Sequence, residues 1–266
     1  MDVNALFSRD GDWFIPSPFT TGPWRPDAMN GGPPCSLISL AVHDALESDE
    51  QVARIGVDLE KPVPLVPMQL HSSRRQVSRR VAHLSVELRT ATDVVASARA
   101  LLLRGRGPVP LIDRPLPQAP ALPDAPLEPA EPDRWAAQPC VFHRDGVEVR
   151  FTTGNWGVPG PGTAWIRMAV PLIDGEPTPD LCQLMAIADL GSPLSQAVAP
   201  GSGMALINVD VNVTLAGAPS GPWFCIATQG TVSPAGIGLA NTQLFDQNGP
   251  LGVITHSQIV NAAPTG

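Results

Sequence analysis

Lysine is nearly missing from this 266-residue chain: Lys61 stands alone, and no lysine or arginine follows Arg167. With 17 basic and 25 acidic residues, the formal charge is −8 and the pI is near 5.0. Binding a nucleic-acid backbone needs a basic face, so no nucleic-acid partner is expected. No apolar run approaches the roughly 20 residues that cross a bilayer, so no membrane span is expected. Met1-Asp2-Val3-Asn4 lacks the basic and apolar regions of a secretory signal, which points to a cytoplasmic location. The four cysteines, Cys35, Cys140, Cys182 and Cys225, form no C-x-x-C pair. Each sits among apolar neighbours, where a free thiol packs as a small hydrophobe. The five histidines are dispersed without H-E-x-x-H spacing, so no protein-bound metal is expected. What is present is a globular composition, 43% hydrophobic and 16% charged, able to bury one large core or two small ones.

Proline marks the organisation. Ten of the 31 prolines lie between Pro108 and Pro139, mixed with Ala, Asp and Glu. Such a stretch has few backbone donors and favours extended polyproline conformation, so it reads as a connector. The division is then 1–107, a linker at 108–140, and 141–266.

Before the connector, Ala82, Leu84, Val86 and Leu88 alternate with His83, Ser85, Glu87 and Arg89, as a half-buried strand requires. Ile55, Val57 and Leu59 alternate likewise, and further strands are predicted near 68–77 and 94–103. Strands that follow one another without intervening helices imply an antiparallel sheet. One helix precedes them, starting after Asn30-Gly31-Gly32 with Pro33-Pro34 in its first turn and running to about Leu46. Its polar residues Ser36, Ser39, His43 and Glu47 form one narrow stripe, so the helix is expected to be mostly buried. That stripe makes His43 a surface or interfacial histidine.

The plan recurs after the connector. Adding 159 to Asn30, Gly32, Pro34 and Ser36 gives Asp189, Gly191, Pro193 and Ser195, which predicts a second helix start there. Strands are predicted at 207–214, 223–232, 237–245 and 251–260, with Asn248-Gly249 as a hairpin turn. The expected fold class is α+β: two antiparallel sheets, each wrapped around a central helix, forming one pseudo-two-fold unit, a double hotdog.

Three runs carry a family resemblance: Met29-Asn30-Gly31-Gly32-Pro33-Pro34, Asp58-Leu59-Glu60-Lys61-Pro62-Val63-Pro64-Leu65, and Ala188-Asp189-Leu190-Gly191. In order and spacing, over about residues 20–262 apart from the connector, the chain resembles the acyl-CoA thioesterase II type of thioesterase-like proteins. The resemblance implies a double hotdog acting in lipid metabolism on acyl-CoA. The thioester would be hydrolysed by an activated water without a covalent enzyme intermediate. It implies no cofactor, coenzyme A entering only as part of the substrate. Paired hotdogs commonly associate through exposed sheet edges, so a homo-oligomer is an expectation.

Thioester hydrolysis needs a donor for the developing oxyanion and a group that orients or deprotonates water. A helix N-terminus after glycines offers free N–H groups and a favourable dipole, which nominates Gly32 and Gly191, with Asn30 and Gly31 beside them for substrate binding. The same glycines would also serve close packing or capping. Asp189 follows the apolar run Leu184–Ala188 with no cation nearby in sequence, so burial would raise its pKa toward that of a useful base. Asp is equally a preferred N-cap.

In the resembled family an Asp at this place joins a hydroxyl residue on the strand after the helix and a glutamine on the last strand. Here Asn208 occupies the hydroxyl position, a departure, because an amide lacks a hydroxyl's donor and acceptor at one atom. On the last strand either Ser257 or Gln258 fits, and a one-residue shift turns the side chain to the other face. Asn208, Asp210, Asn212 and Thr214 are expected to form one polar row, either facing substrate or solvated. The cluster Arg74-Arg75 and Arg79-Arg80 either receives coenzyme A phosphates or is a solvated turn. Hotdog hydratases pair an Asp with a His five residues on; here that position is Leu194, which argues against them. A non-catalytic acyl-CoA or lipid-binding protein is the alternative that the Asn208 departure keeps open.

Overall fold

The computed structural model describes residues 4–23, 25–113, 115–126, 138–156, 158–199 and 201–263. Its elements in chain order begin with the hairpin β1 (Phe7–Asp10) and β2 (Trp13–Pro16), then helix α1 (Gly32–Asp44). Strands β3 (Glu50–Asp58), β4 (Gln69–Ser78), β5 (Val81–Arg89) and β6 (Val94–Arg104) follow. Beyond the proline-rich stretch come a π-helical turn at Phe142–Gly146, β7 (Val147–Thr153), β8 (Gly162–Met168) and helix α2 (Asp180–Ala188). A 3-10 turn at Asp189–Gly191 leads to β9 (Met204–Asn208), β10 (Asp210–Leu215), β11 (Phe224–Val232), β12 (Ile237–Asp246) and β13 (Gly249–Ala262).

Apart from β1 and β2, which pair only with each other, the strands form one continuous antiparallel sheet in the order β4-β5-β6-β3-β10-β13-β12-β11-β8-β7, with β9 paired to β13. Two antiparallel sheets forming one pseudo-two-fold unit were expected. The halves instead fuse where β3 pairs β10, Val57 opposite Val211 and Ile55 opposite Val213, so the hydrogen-bond ladder runs unbroken between them. All four residues are buried, and each such side chain removed from water contributes about 1.5–3 kcal/mol.

Local chemistry explains the helices. In α1 the first-turn prolines cost no hydrogen bonds, and the Asn30 side chain, one residue before the Gly31 cap, accepts the Gly32 N–H at 3.0 Å. Ser36 and Ser39 of the polar stripe are buried, and Ser36 Oγ donates to the Cys182 carbonyl of α2 at 2.8 Å. His43 is exposed. Helices α1 and α2 pack against each other so closely that a Cβ on Gly32 would stand 2.2 Å from the Ala186 carbonyl oxygen. Only glycine fits there.

Three expectations are corrected. The second helix ends at Ala188 rather than starting near Asp189, because Pro179 precedes its first turn and Gly191 and Pro193 close it. The polar row also divides. A break at Val209 separates β9 from β10: Asn208 pairs Gln258, whereas Asn212 pairs Thr255, a one-residue shift that turns Asn208 to the face opposite Asp210. Strands β7 and β8, absent from the sequence-based set, complete the far edge.

Part of the proline-rich stretch, 127–137, lies outside the described residues. Before it, Ala119 and Leu122 pack on a small cluster of Trp165, Trp223, Cys225 and Phe245, and Trp165 Nε1 donates to the Pro120 carbonyl at 3.0 Å. Trp165 alternates with Ala164 and Ile166 of the main core, so this segment covers the other face of the sheet.

Candidate active site

The turn after α2 meets the start of α1 and the β9–β13 pairing around a cavity of about 320 Å³. Its polar lining includes Asn30, Gly31, Asp189, Ser192 and Asn208; Met29, Leu59, Val63, Trp156, Leu190 and Leu206 supply apolar walls. Arg25 and Lys61 also line it, with half-exposed side chains paired to Asp27 at 2.7 Å and Asp93 at 3.0 Å.

Asp189 is 8% exposed. Its carboxylate lies against Gly31: a Cβ there would be 2.7 Å from both carboxylate oxygens, so the glycine makes room for the acid. Asn208 Nδ2 donates to Asp189 Oδ1 at 2.7 Å and more loosely to the Asp189 carbonyl at 3.3 Å. Gln258 Nε2 donates to Asn208 Oδ1 at 3.0 Å and to Ser192 Oγ at 2.5 Å. The amide orientations follow from the acid. A carboxylate only accepts, so Asn208 turns its Nδ2 toward it, which leaves Oδ1 for the Gln258 amide nitrogen. Asp189, Asn208 and Gln258 therefore come together in one hydrogen-bonded chain.

Other nominated residues fall elsewhere. Ser257 points to the opposite face, where its Oγ donates to Asp210 Oδ2 at 2.9 Å and its N–H to Asp210 Oδ1 at 2.6 Å. Asp210 lies with it outside the cavity lining, placed there by the break at Val209. Gly32 gives its N–H to Asn30 and its Cα to helix packing, while Gly31 lines the cavity. Gly191 sits at the C-terminal end of α2, where the dipole is negative, pressed against Thr228, Thr242 and His256. Arg74 is bound to the buried Glu50 at 2.6 and 2.9 Å and to the Ala45 carbonyl. This pairing holds the Glu50 carboxyl below the usual range. Arg75 is exposed beside His83. Neither arginine reaches the cavity.

Sequence reasoning missed Ser192, His256, Arg25 and Lys61. Ser192 is three residues beyond Asp189, the spacing that puts two side chains on one side of a helical turn. His256 shares the face of Gln258 by strand alternation. It is fully buried, and neither ring nitrogen has a partner at full hydrogen-bonding geometry among the described residues; burial lowers its pKa, against the opposing pull of Asp189, the nearby Ala188 carbonyl and Asp210. Cys35 in the first turn of α1 is buried, and burial together with the Asp189 carboxylate pushes its thiol well above the ordinary value. Among the described residues no group of His, Cys, Asp and Glu could hold a metal ion, and no helix is long and apolar enough to cross a membrane.

The acyl-CoA thioesterase N-terminal domain family matches residues 20–103, and the acyl-CoA thioesterase C-terminal domain family matches residues 119–260. The chain belongs to this acyl-CoA thioesterase family. Its fold is the hotdog fold. A conserved protein of unknown function with a hotdog fold from Alicyclobacillus acidocaldarius is similar, with a TM-score of 0.69 at 17% identity, over 98% of this chain and 97% of that one. An acyl-CoA thioesterase II from Mycobacterium marinum gives 0.66 at 14% identity, over 98% and 97%. A TesB protein from Mycobacterium avium subspecies paratuberculosis gives 0.64 at 15%, over 96% of each chain. No curated relative matches the chain.

Proposed function

We propose that this chain hydrolyses a fatty acyl-CoA thioester with an activated water, and that its halves, bounded near 107 and 141, act as a double hotdog. The observation that carries this reading is the buried Asp189 carboxylate on the wall of a mainly apolar cavity, held by Asn208 and, through it, by Gln258. An apolar slot suits an acyl chain, and a positioned carboxylate beside it suits removal of a proton from water. The step balances without a cofactor. Asp189 takes one proton while the water oxygen bonds to the thioester carbon. The tetrahedral intermediate then expels the thiolate, which takes that proton back, leaving a carboxylic acid and coenzyme A thiol.

Gly31 is the proposed oxyanion donor. Pro33 and Pro34 have no N–H, and Asn30 occupies that of Gly32, so the Gly31 N–H is the one left at the start of α1 without a partner among the described residues. Arg25 and Lys61, half-exposed on the lining, suit the anionic coenzyme A moiety better than Arg74 and Arg75 do. One observation favours a second reading, binding without turnover: both amide hydrogens of Asn208 are engaged by Asp189. Incubating the purified protein with short, medium and long acyl-CoAs and measuring free thiol separates the two. Release from at least one substrate is expected; an inert protein across the series contradicts hydrolysis.

A further inference from the structure

We propose that Ser192 is a catalytic residue whose hydroxyl holds the attacking water opposite Asp189. The inference rests on the hydrolytic reading above and follows from counting donors and acceptors around the acid. An Asn or Gln amide nitrogen has two hydrogens. Those of Asn208 go to Asp189 Oδ1 and to the Asp189 carbonyl. Those of Gln258 go to Asn208 Oδ1 and Ser192 Oγ. The hydrogens of both amides are therefore spent on the protein itself; Gln258 Oε1 is buried without a partner among the described residues, and Gln258 does not line the cavity. Two groups that do line it remain available: Asp189 Oδ2, which accepts no hydrogen bond among the described residues, and the Ser192 O–H.

Ser192 Oγ accepts from Gln258, so its own proton is free to point elsewhere, and a hydroxyl that accepts a hydrogen bond becomes a better donor. A water between the two groups would give one proton to Asp189 Oδ2 and accept the Ser192 proton on one lone pair. The other lone pair is then aimed at the thioester carbon. Proton and electron traffic is that of the hydrolysis already written, and Ser192 keeps its proton throughout. The hydroxyl that the strand position lacks, where Asn208 stands, is thus supplied from the turn following α2. Gln258 acts through it as a positioning residue.

The test is steady-state hydrolysis of an acyl-CoA by the wild type, Ser192→Ala and Ser192→Thr. Thermal melts and intact-protein mass spectra are taken during turnover. Loss of the hydroxyl is expected to lower kcat about 100-fold with KM within about twofold, and to lower the melting temperature by no more than several degrees, since Gln258 Nε2 keeps its second acceptor, Asn208 Oδ1. Ser192→Thr, which keeps a hydroxyl, is expected to retain most of the rate. An alanine variant with kcat near that of the wild type overturns the proposal, as does an equal loss in both variants. An acyl group found on Ser192 overturns it too, by making the serine a nucleophile rather than a holder of water. A wild type inert toward every acyl-CoA overturns the hydrolytic reading itself, and Ser192 falls with it.

Discussion

Ser257 and Gln258 are adjacent on β13 and differ in everything that matters for chemistry. Gln258 is 1% exposed and bonded to Asn208 and Ser192, whereas Ser257 is exposed and bonded to Asp210. Replacing Gln258 by alanine leaves Asn208 Oδ1 without its donor and frees Ser192 from its anchor. Losing a buried hydrogen bond costs about 1–3 kcal/mol. If that loss appears in the transition state, hydrolysis slows by roughly 5- to 150-fold, a factor of ten for each 1.36 kcal/mol. Ser257→Ala is expected to stay within about twofold of wild type, with comparison of kcat/KM as the check; equal losses would contradict the assignment. Strand alternation made plain in the sequence that only one of the two faces the site. Which one depends on the break at Val209, a long-range register shift with no local signature. Ser192 was legible only as a neighbour of Asp189, because its partner lies 66 residues away on another element.

At the scale of elements, the site exists because two helices touch. Gly32 lets α1 approach α2, and Gly31 beside it leaves room for the Asp189 carboxylate. A methyl group at residue 32 would meet the Ala186 carbonyl and the Phe142 ring, so one helix must shift. Gly32→Ala is expected to destabilise the protein by about 1–3 kcal/mol, a magnitude usual for overpacking. Thermal denaturation reads this as a fall of several degrees in Tm; an unchanged Tm would mean the helices are not held this closely. Helix α1 was readable from its prolines and apolar faces nearly to the residue. For α2 the apolar run was visible, but Asp-Leu-Gly-Ser-Pro suits a helix end as well as a helix start, and the likeness to Asn30–Ser36 favoured the start. Pro179-Asp180 is the local signal that would have corrected it.

For the whole molecule, the sheet is the decisive feature. Pairing β3 with β10 makes one ladder of the two halves and carries Asn208 to the start of α1, so residues from both sides of the proline-rich stretch line one cavity. Most strand patterns within each half were apparent in the alternation of apolar residues, β7 and β8 excepted. The joining of the sheets was not, since pairing between distant strands leaves no periodicity in either one. The central claim is that Asp189 performs chemistry rather than merely supporting a binding pocket. The most direct measurement pairs calorimetric binding of an acyl-CoA with thiol release, using the wild type and Asp189→Asn. The variant is expected to bind the intact thioester with an affinity close to the wild-type KM and to release thiol at least about 100-fold more slowly. Turnover by the variant at the wild-type rate would contradict the claim.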